Sequence, residues 1–188
     1  APGDRITVGP GTYAENVTLT ANNVQVIGHS ATWDGHIGGA GSTCLTIEGN
    51  GCKVSGFKFV NGSTHVQVNG DGATISKCVS RSPSSDNFRF DTAVGGRVEK
   101  CTILSSGGTA VSGSGSSGLV VTKNVIRGAD SAGVSLSSCN DAVVDHNTIS
   151  NIEDGEGVAI SGTGAKVQVN RITGTDDNDG LWTAMYVA

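Results

Sequence analysis

Phrases of one kind return at near-constant spacing through most of this 188-residue chain. They start at Cys44 (C-L-T-I), His65 (H-V-Q-V), Asn87 (N-F-R-F), Ala110 (A-V-S-G), Gly133 (G-V-S-L), Gly157 (G-V-A-I) and Leu181 (L-W-T-A). The steps are about 21 to 24 residues, the length of one coil of a solenoid. A unit this short cannot bury an apolar face alone, so neighbouring units must stack with like residue over like.

Each unit alternates. Leu45, Val66, Phe88, Val111, Val134, Val158 and Trp182 form one apolar column, and Ile47, Val68, Phe90, Gly113, Leu136, Ile160 and Ala184 the next. Thr46, Gln67, Arg89, Ser112, Ser135 and Ala159 fall between them. Period-two alternation marks a strand with one buried face. Further along, Val54, Ile75, Val98, Val121, Val144 and Val167 mark a second strand, and Phe59, Ser80, Ile103, Ile126, Ile149 and Ile172 a third. Between these two strands run Phe57, Cys78, Cys101, Asn124, Asn147 and Asn170, where the chain must bend. Asn suits such a bend because it tolerates left-handed backbone angles. Stacked Asn side chains can also hydrogen-bond along the axis.

The fold expected is all-β: a right-handed, single-stranded parallel β-helix with three short strands per coil. An antiparallel sandwich would not require the same residue type at the same phase in successive units. Residues 1–43 read as irregular, capping N-terminal coils, with 29–41 as a Gly-rich excursion. Residues 44–188 read as regular coils of the same continuous domain. The chain opens on A-P-G-D-R-I-T-V and stops on W-T-A-M-Y-V-A, so a piece of a longer protein is expected.

Composition narrows the partners. Charged residues are 15% of the chain, against about 25% in an average globular domain. The net charge of −5 disfavours a surface that tracks nucleic-acid phosphates. No apolar run is long enough to span a bilayer, so no membrane partner is expected. Five cysteines, with no C-x-x-C, suit neither a disulfide framework nor a zinc site and read as free, mostly buried thiols. The phrase G-S-G-S-S-G at Gly113–Gly118 matches a dinucleotide fingerprint by letters but has no following helix.

Three phrases carry a resemblance. They are P-G-D-R-I-T-V-G-P-G-T-Y-A-E-N-V-T-L, L-T-I-E-G-N-G-C-K-V-S-G-F-K-F, and x-V-x-x-N-x-I at Asn124, Asn147 and Asn170. Together they resemble the pectin-lyase-like superfamily of right-handed β-helix proteins. That superfamily includes polysaccharide lyases, hydrolases, epimerases, esterases, bacteriophage tailspikes and adhesins, and fold does not choose among them. The resemblance implies a glycan-recognising domain most like a tailspike or tail fibre, virion-borne or else secreted or cell-surface. A polysaccharide or other glycan is the implied partner, and a homotrimer is the implied assembly. A polysaccharide-degrading enzyme and a structural spacer stand as alternatives.

The resemblance places substrate along one sheet, and the outward face of the first strand is where chemistry is expected. One outward column holds Gln67 and Arg89; the next holds Glu48, Asn69 and Asp91. His65, Gln67, Asn69 and Arg89 are the expected glycan contacts. Glu48 and Asp91 are the expected catalytic pair, with Arg89 beside them. They stand two coils apart, about 9.6 Å between α-carbons, a separation that suits inverting glycoside hydrolysis. Asp130, Glu153, Asp154, Glu156, Asp176, Asp177 and Asp179 should line one rim of loops. The rim reads as a solvated acidic edge and no cofactor is expected; calcium, which takes several oxygen ligands, is the alternative such a rim could hold, though no complete ligand-spacing motif is present. His29, Asp34 and His36 read as solvated loop residues.

Overall fold

The computed structural model describes residues 1–38, 42–175 and 185–187; for 37, 38, 175 and 185–187 only the backbone is described. The chain coils to the right, and each coil contributes one strand to each of three parallel sheets. The first sheet holds the strands Val17–Leu19, Thr43–Ile47, Thr64–Val68, Phe88–Asp91, Thr109–Ser114, Ala132–Ser137, Val158–Ile160 and Met185–Val187. The second runs from Arg5–Val8 through Gln25–Gly28 and Lys53–Ser55 to Lys166–Gln168. The third runs from Gly11–Tyr13 through Ala31–Asp34 and Lys58–Val60 to Arg171–Thr175. Backbone bonds run from coil to coil, as in Thr74 N to Cys52 O (2.8 Å), Arg97 N to Ala73 O (2.8 Å) and Val120 N to Gly96 O (2.9 Å).

The columns read from sequence are stripes in space. Leu45, Val66, Phe88, Val111, Val134 and Val158 are paired partners along the first sheet, and Ile47, Val68, Phe90, Gly113, Leu136 and Ile160 likewise. The last coil is the exception. Val158 and Ile160 pair with Met185 and Val187, not with Trp182 and Ala184, which lie outside the described residues. The final unit is therefore three residues longer than constant spacing would make it. The 29–41 stretch, read as an excursion, contains the third-sheet strand Ala31–Asp34 followed by a 3-10 turn over Gly35–Gly38. Residues 5–19 already supply one strand to each sheet, each paired in parallel with the coil that follows.

Size is balanced between coils. Phe59, Phe88 and Phe90 are fully buried. Above Phe90 sits Gly113, where a Cβ would meet Leu136 at 3.0 Å and Leu119 at 3.2 Å. Beside the Phe90 ring lies Gly96, whose added Cβ would come 2.7 Å from Cε1. The glycines thus make room for an aromatic that would otherwise overfill the coil.

The bend between second and third sheets holds the asparagine ladder. Asn147 Oδ1 accepts from Asn124 Nδ2 (3.0 Å) and from the Asn124 backbone N–H (2.9 Å). Asn147 Nδ2 donates to Val121 O (2.9 Å) and to Asn170 Oδ1 (3.0 Å). The left-handed residue is not the Asn but its predecessor: Gly56, Lys77, Lys100, Lys123, His146 and Val169 have φ from 52 to 76°. The Asn is there to satisfy buried backbone donors. Lower in the stack, Cys78 and Cys101 take the same place, their thiols donating to Ser76 O (3.3 Å) and Glu99 O (3.4 Å). All five cysteines are free and buried, and burial pushes the Cys44 thiol up to about 12.

Two substitutions test this packing by denaturant midpoint. Asn147→Ala strands two buried donors of Asn124 and a carbonyl, and should cost about 3 kcal/mol. Gly96→Ala drives a methyl into the Phe90 ring and should cost about 2 kcal/mol.

Candidate functional site

Strand pleat and register decide what the first sheet shows to solvent. Gln67 pairs with Arg89 and Arg89 with Ser112; Asp91 pairs with Ser114. These positions point away from the core because Val66, Val68, Phe88 and Phe90 point into it. Arg89 Nε donates to both oxygens of Asp91, at 2.9 and 3.2 Å. Gln67 Nε2 donates to the same carboxylate from the neighbouring coil at 3.3 Å, and reaches Asn69 Oδ1 at 3.4 Å. Four of the expected residues, Gln67, Asn69, Arg89 and Asp91, therefore form one network spanning two coils. Arg89 keeps 49% of its side-chain surface, and its Nε is the nitrogen engaged among the described residues. No hydrogen bond engages its two terminal nitrogens among the described residues.

Glu48 lies on the same outward column, one coil below Asn69 and two below Asp91. It is exposed and its carboxylate has no hydrogen bond or ion pair among the described residues.

His65 does not belong to this face. It is fully buried, and its ring stacks on Phe59 with centroids 5.9 Å apart. Nε2 lies 2.7 Å from Asn61 O and Nδ1 2.6 Å from Ser80 Oγ. A carbonyl only accepts, so Nε2 carries the proton, and Ser80 donates to Nδ1 while accepting from Asn87 Nδ2 at 2.8 Å. Burial lowers the imidazole pKa to about 4, and the bond to Asn61 O only partly offsets that. The reading from alternation fails here because residue 65 sits where the chain turns off the third sheet. At a corner the side chain before the first inward residue also packs inside. The whole column Cys44, His65, Asn87, Ala110, Gly133 and Gly157 is buried, and its small or apolar composition was the available signal.

Asp86 lies next to this face. Its carboxylate accepts from Thr109 N (2.9 Å) and Ser112 Oγ (2.7 Å), tying the corner of one coil to the next. At the acidic rim, Asp154 N donates to Asp130 O (2.8 Å), so those residues are stacked. No group of three or more His, Cys, Asp or Glu converges as a metal site among the described residues; Asp176, Asp177 and Asp179 lie outside them. Asp34 Oδ1 accepts from Asn61 Nδ2 (2.8 Å) and from His36 N (3.1 Å), and the Asn61 bond holds its carboxyl below the usual range.

A family model described as "Right handed beta helix region" matches residues 43–185. The chain belongs to that family. A search of curated protein sequences gave no significant match. Among solved structures, the chain is similar to pectate lyase Pel9A, with a TM-score of 0.64, 12% identity, and coverage of 86% of this chain and 55% of that one. It is also similar to the enzymatically active domain of bacteriophage CBA120 tailspike protein 2, with a TM-score of 0.60, 8% identity, and coverage of 98% of this chain and 42% of that one. This β-helix thus spans about half the length of the structures it matches, and at these identities the likeness is one of fold.

The buried histidine gives a pH prediction. Between pH 6.5 and about 4 the unfolded chain binds a proton that the native state refuses. The His65 contribution is therefore complete above pH 6.5 and falls by about 3 kcal/mol as pH drops to 4. Melting temperature measured across this range should fall for the native sequence and fall less steeply for His65→Gln.

Proposed function

We propose that this β-helix recognises a glycan along the outward face of its first sheet, with Arg89 as the principal contact and Gln67 and Asn69 beside it. The observation that carries the reading is the Asp91 carboxylate accepting from both Arg89 and Gln67 across two coils. A guanidinium fixed in this way has lost its rotamer freedom before any ligand arrives, so binding costs less. Its free terminal nitrogens suit a sugar hydroxyl or carboxylate. The Ser112 and Ser135 side chains continue the column with hydrogen-bonding groups. Such a shallow face binds weakly by itself, and the trimeric assembly of a virion or cell-surface appendage would multiply its avidity. A tailspike and a pectate lyase among the solved structures of this fold support a polysaccharide partner.

Hydrolysis by Glu48 and Asp91 has less support. Both oxygens of Asp91 are already engaged by Arg89 Nε.

Glycan-array binding by the purified domain tests the proposal. Arg89→Ala should lower affinity at least about tenfold, the loss of roughly one charge-assisted hydrogen bond. Asp91→Asn, which frees Arg89 to move, should lower it less. An array with no bound glycan overturns the reading.

A further inference from the structure

The corner between the second and third sheets carries an unusual set of side chains. Its left-handed positions are filled by Lys77, Lys100, Lys123 and His146 in four consecutive coils. Left-handed backbone favours Gly and, less strongly, Asn or Asp, because any other side chain is strained there. The other corners carry glycine or short side chains at these positions. Gly51, Gly72, Gly95, Gly118 and Asp141 occupy the left-handed positions before the second sheet, and Ser82, Ser105, Gly128 and Asn151 those after the third. The lysine corner alone places long cationic side chains where the backbone would accept glycine, as Gly56 does one coil below. A Val169 completes the column one coil above.

The residues preceding this corner pair in register, Ser76 with Glu99, Glu99 with Thr122 and Thr122 with Asp145. The three lysines and His146 are therefore stacked along the axis at about 4.8 Å per coil. All four are exposed. No salt bridge engages Lys77, Lys100 or Lys123 among the described residues; His146 pairs with Asp145 at 3.2 Å. The adjoining outward face of the second sheet is basic as well. One of its columns contains Arg5, Lys53, Arg97 and Lys166. Its acids are Glu99, paired with Arg97 at 3.5 Å, and Asp145. Two shallow depressions of about 380 and 430 Å³ follow this face and meet at Arg97 and Glu99. Lys53 borders the first, and Lys123 and His146 the second. In a chain of net charge −5, seven of the twelve Lys and Arg thus lie on this corner and the adjoining face, four more (Lys58, Arg81, Arg127 and Arg171) lie on strands of the third sheet, and the first sheet's outward columns hold Arg89 alone.

We infer that this stripe binds an acidic polysaccharide, with Lys77, Lys100 and Lys123 contacting successive carboxylates of one extended chain. The site lies across the coil from the first sheet and stands independently of glycan recognition there. Charge complementarity favours a polyanion, and the regular spacing favours a linear one with a charge in each short repeat. A shallow, open groove without exposed aromatic side chains offers no stacking platform of the kind single-stranded nucleic acids use.

Binding of de-esterified polygalacturonate to the whole domain, followed by biolayer interferometry, tests the inference. The native sequence should bind it, and should bind the fully methyl-esterified polymer at least about tenfold more weakly. Raising salt from about 50 mM to about 300 mM should weaken binding at least about tenfold, because each neutralised charge releases a counterion. The triple variant Lys77→Gly, Lys100→Gly, Lys123→Gly should lose at least about tenfold in affinity. Glycine relieves the backbone at these positions, so the variant should melt no lower than the native chain. If it does melt lower, Lys→Asn at the same three positions removes the same charges and must show the same loss of binding. Unchanged affinity in the folded variant overturns the inference. So does equal binding of the esterified polymer, or tighter binding of single-stranded DNA or anionic lipid vesicles than of polygalacturonate.

Discussion

The whole molecule depends on parallel, in-register hydrogen bonding between one coil and the next. No coil has a core of its own. Each strand of three to six residues becomes stable only when its backbone groups are paired above and below, and that pairing forces equivalent side chains onto one another. The hydrophobic column, the asparagine ladder and the exposed polar stripes are consequences of this one constraint. A polar residue that enters the interior must therefore find its partner within its own coil or a neighbouring one. Asn147 does so through Asn124 and Asn170, and His65 through Ser80 and Asn61.

Much of the architecture was legible in the sequence for the same reason. Val54, Ile75, Val98, Val121, Val144 and Val167 repeat their phase because they share one environment, and the structure pairs them one to one. Legibility failed where a local demand interrupted the period. The last unit is longer than its predecessors, so constant spacing chose Trp182 where Met185 makes the pairing. The left-handed turn was assigned to Asn124, Asn147 and Asn170 on propensity, whereas Lys123, His146 and Val169 adopt it. Propensity named the right corner and the wrong residue, because hydrogen-bonding capacity rather than backbone tolerance selects the Asn.

The candidate site was legible by a similar measure. Alternation alone placed Gln67, Arg89 and Asp91 on one face, and their side chains do meet. It could not show that Asp91 is occupied by Arg89 and Gln67, since bonding across coils depends on side-chain reach rather than on order along the chain. Nor could it exclude His65, because two-residue alternation describes the middle of a flat strand and not a corner. The basic stripe escaped notice for a different reason. Its residues are 23 positions apart in the chain, and their significance appears only when the backbone angle at each is known.

The one-to-one pairing of successive coils has an evolutionary corollary. A duplication or deletion of one complete coil changes the length of the rod by a single rung and leaves the lateral position of every stripe untouched. Tract length and surface chemistry can therefore drift separately: the number of coils sets how much of a linear polymer is spanned, while substitutions within a stripe set which polymer it is.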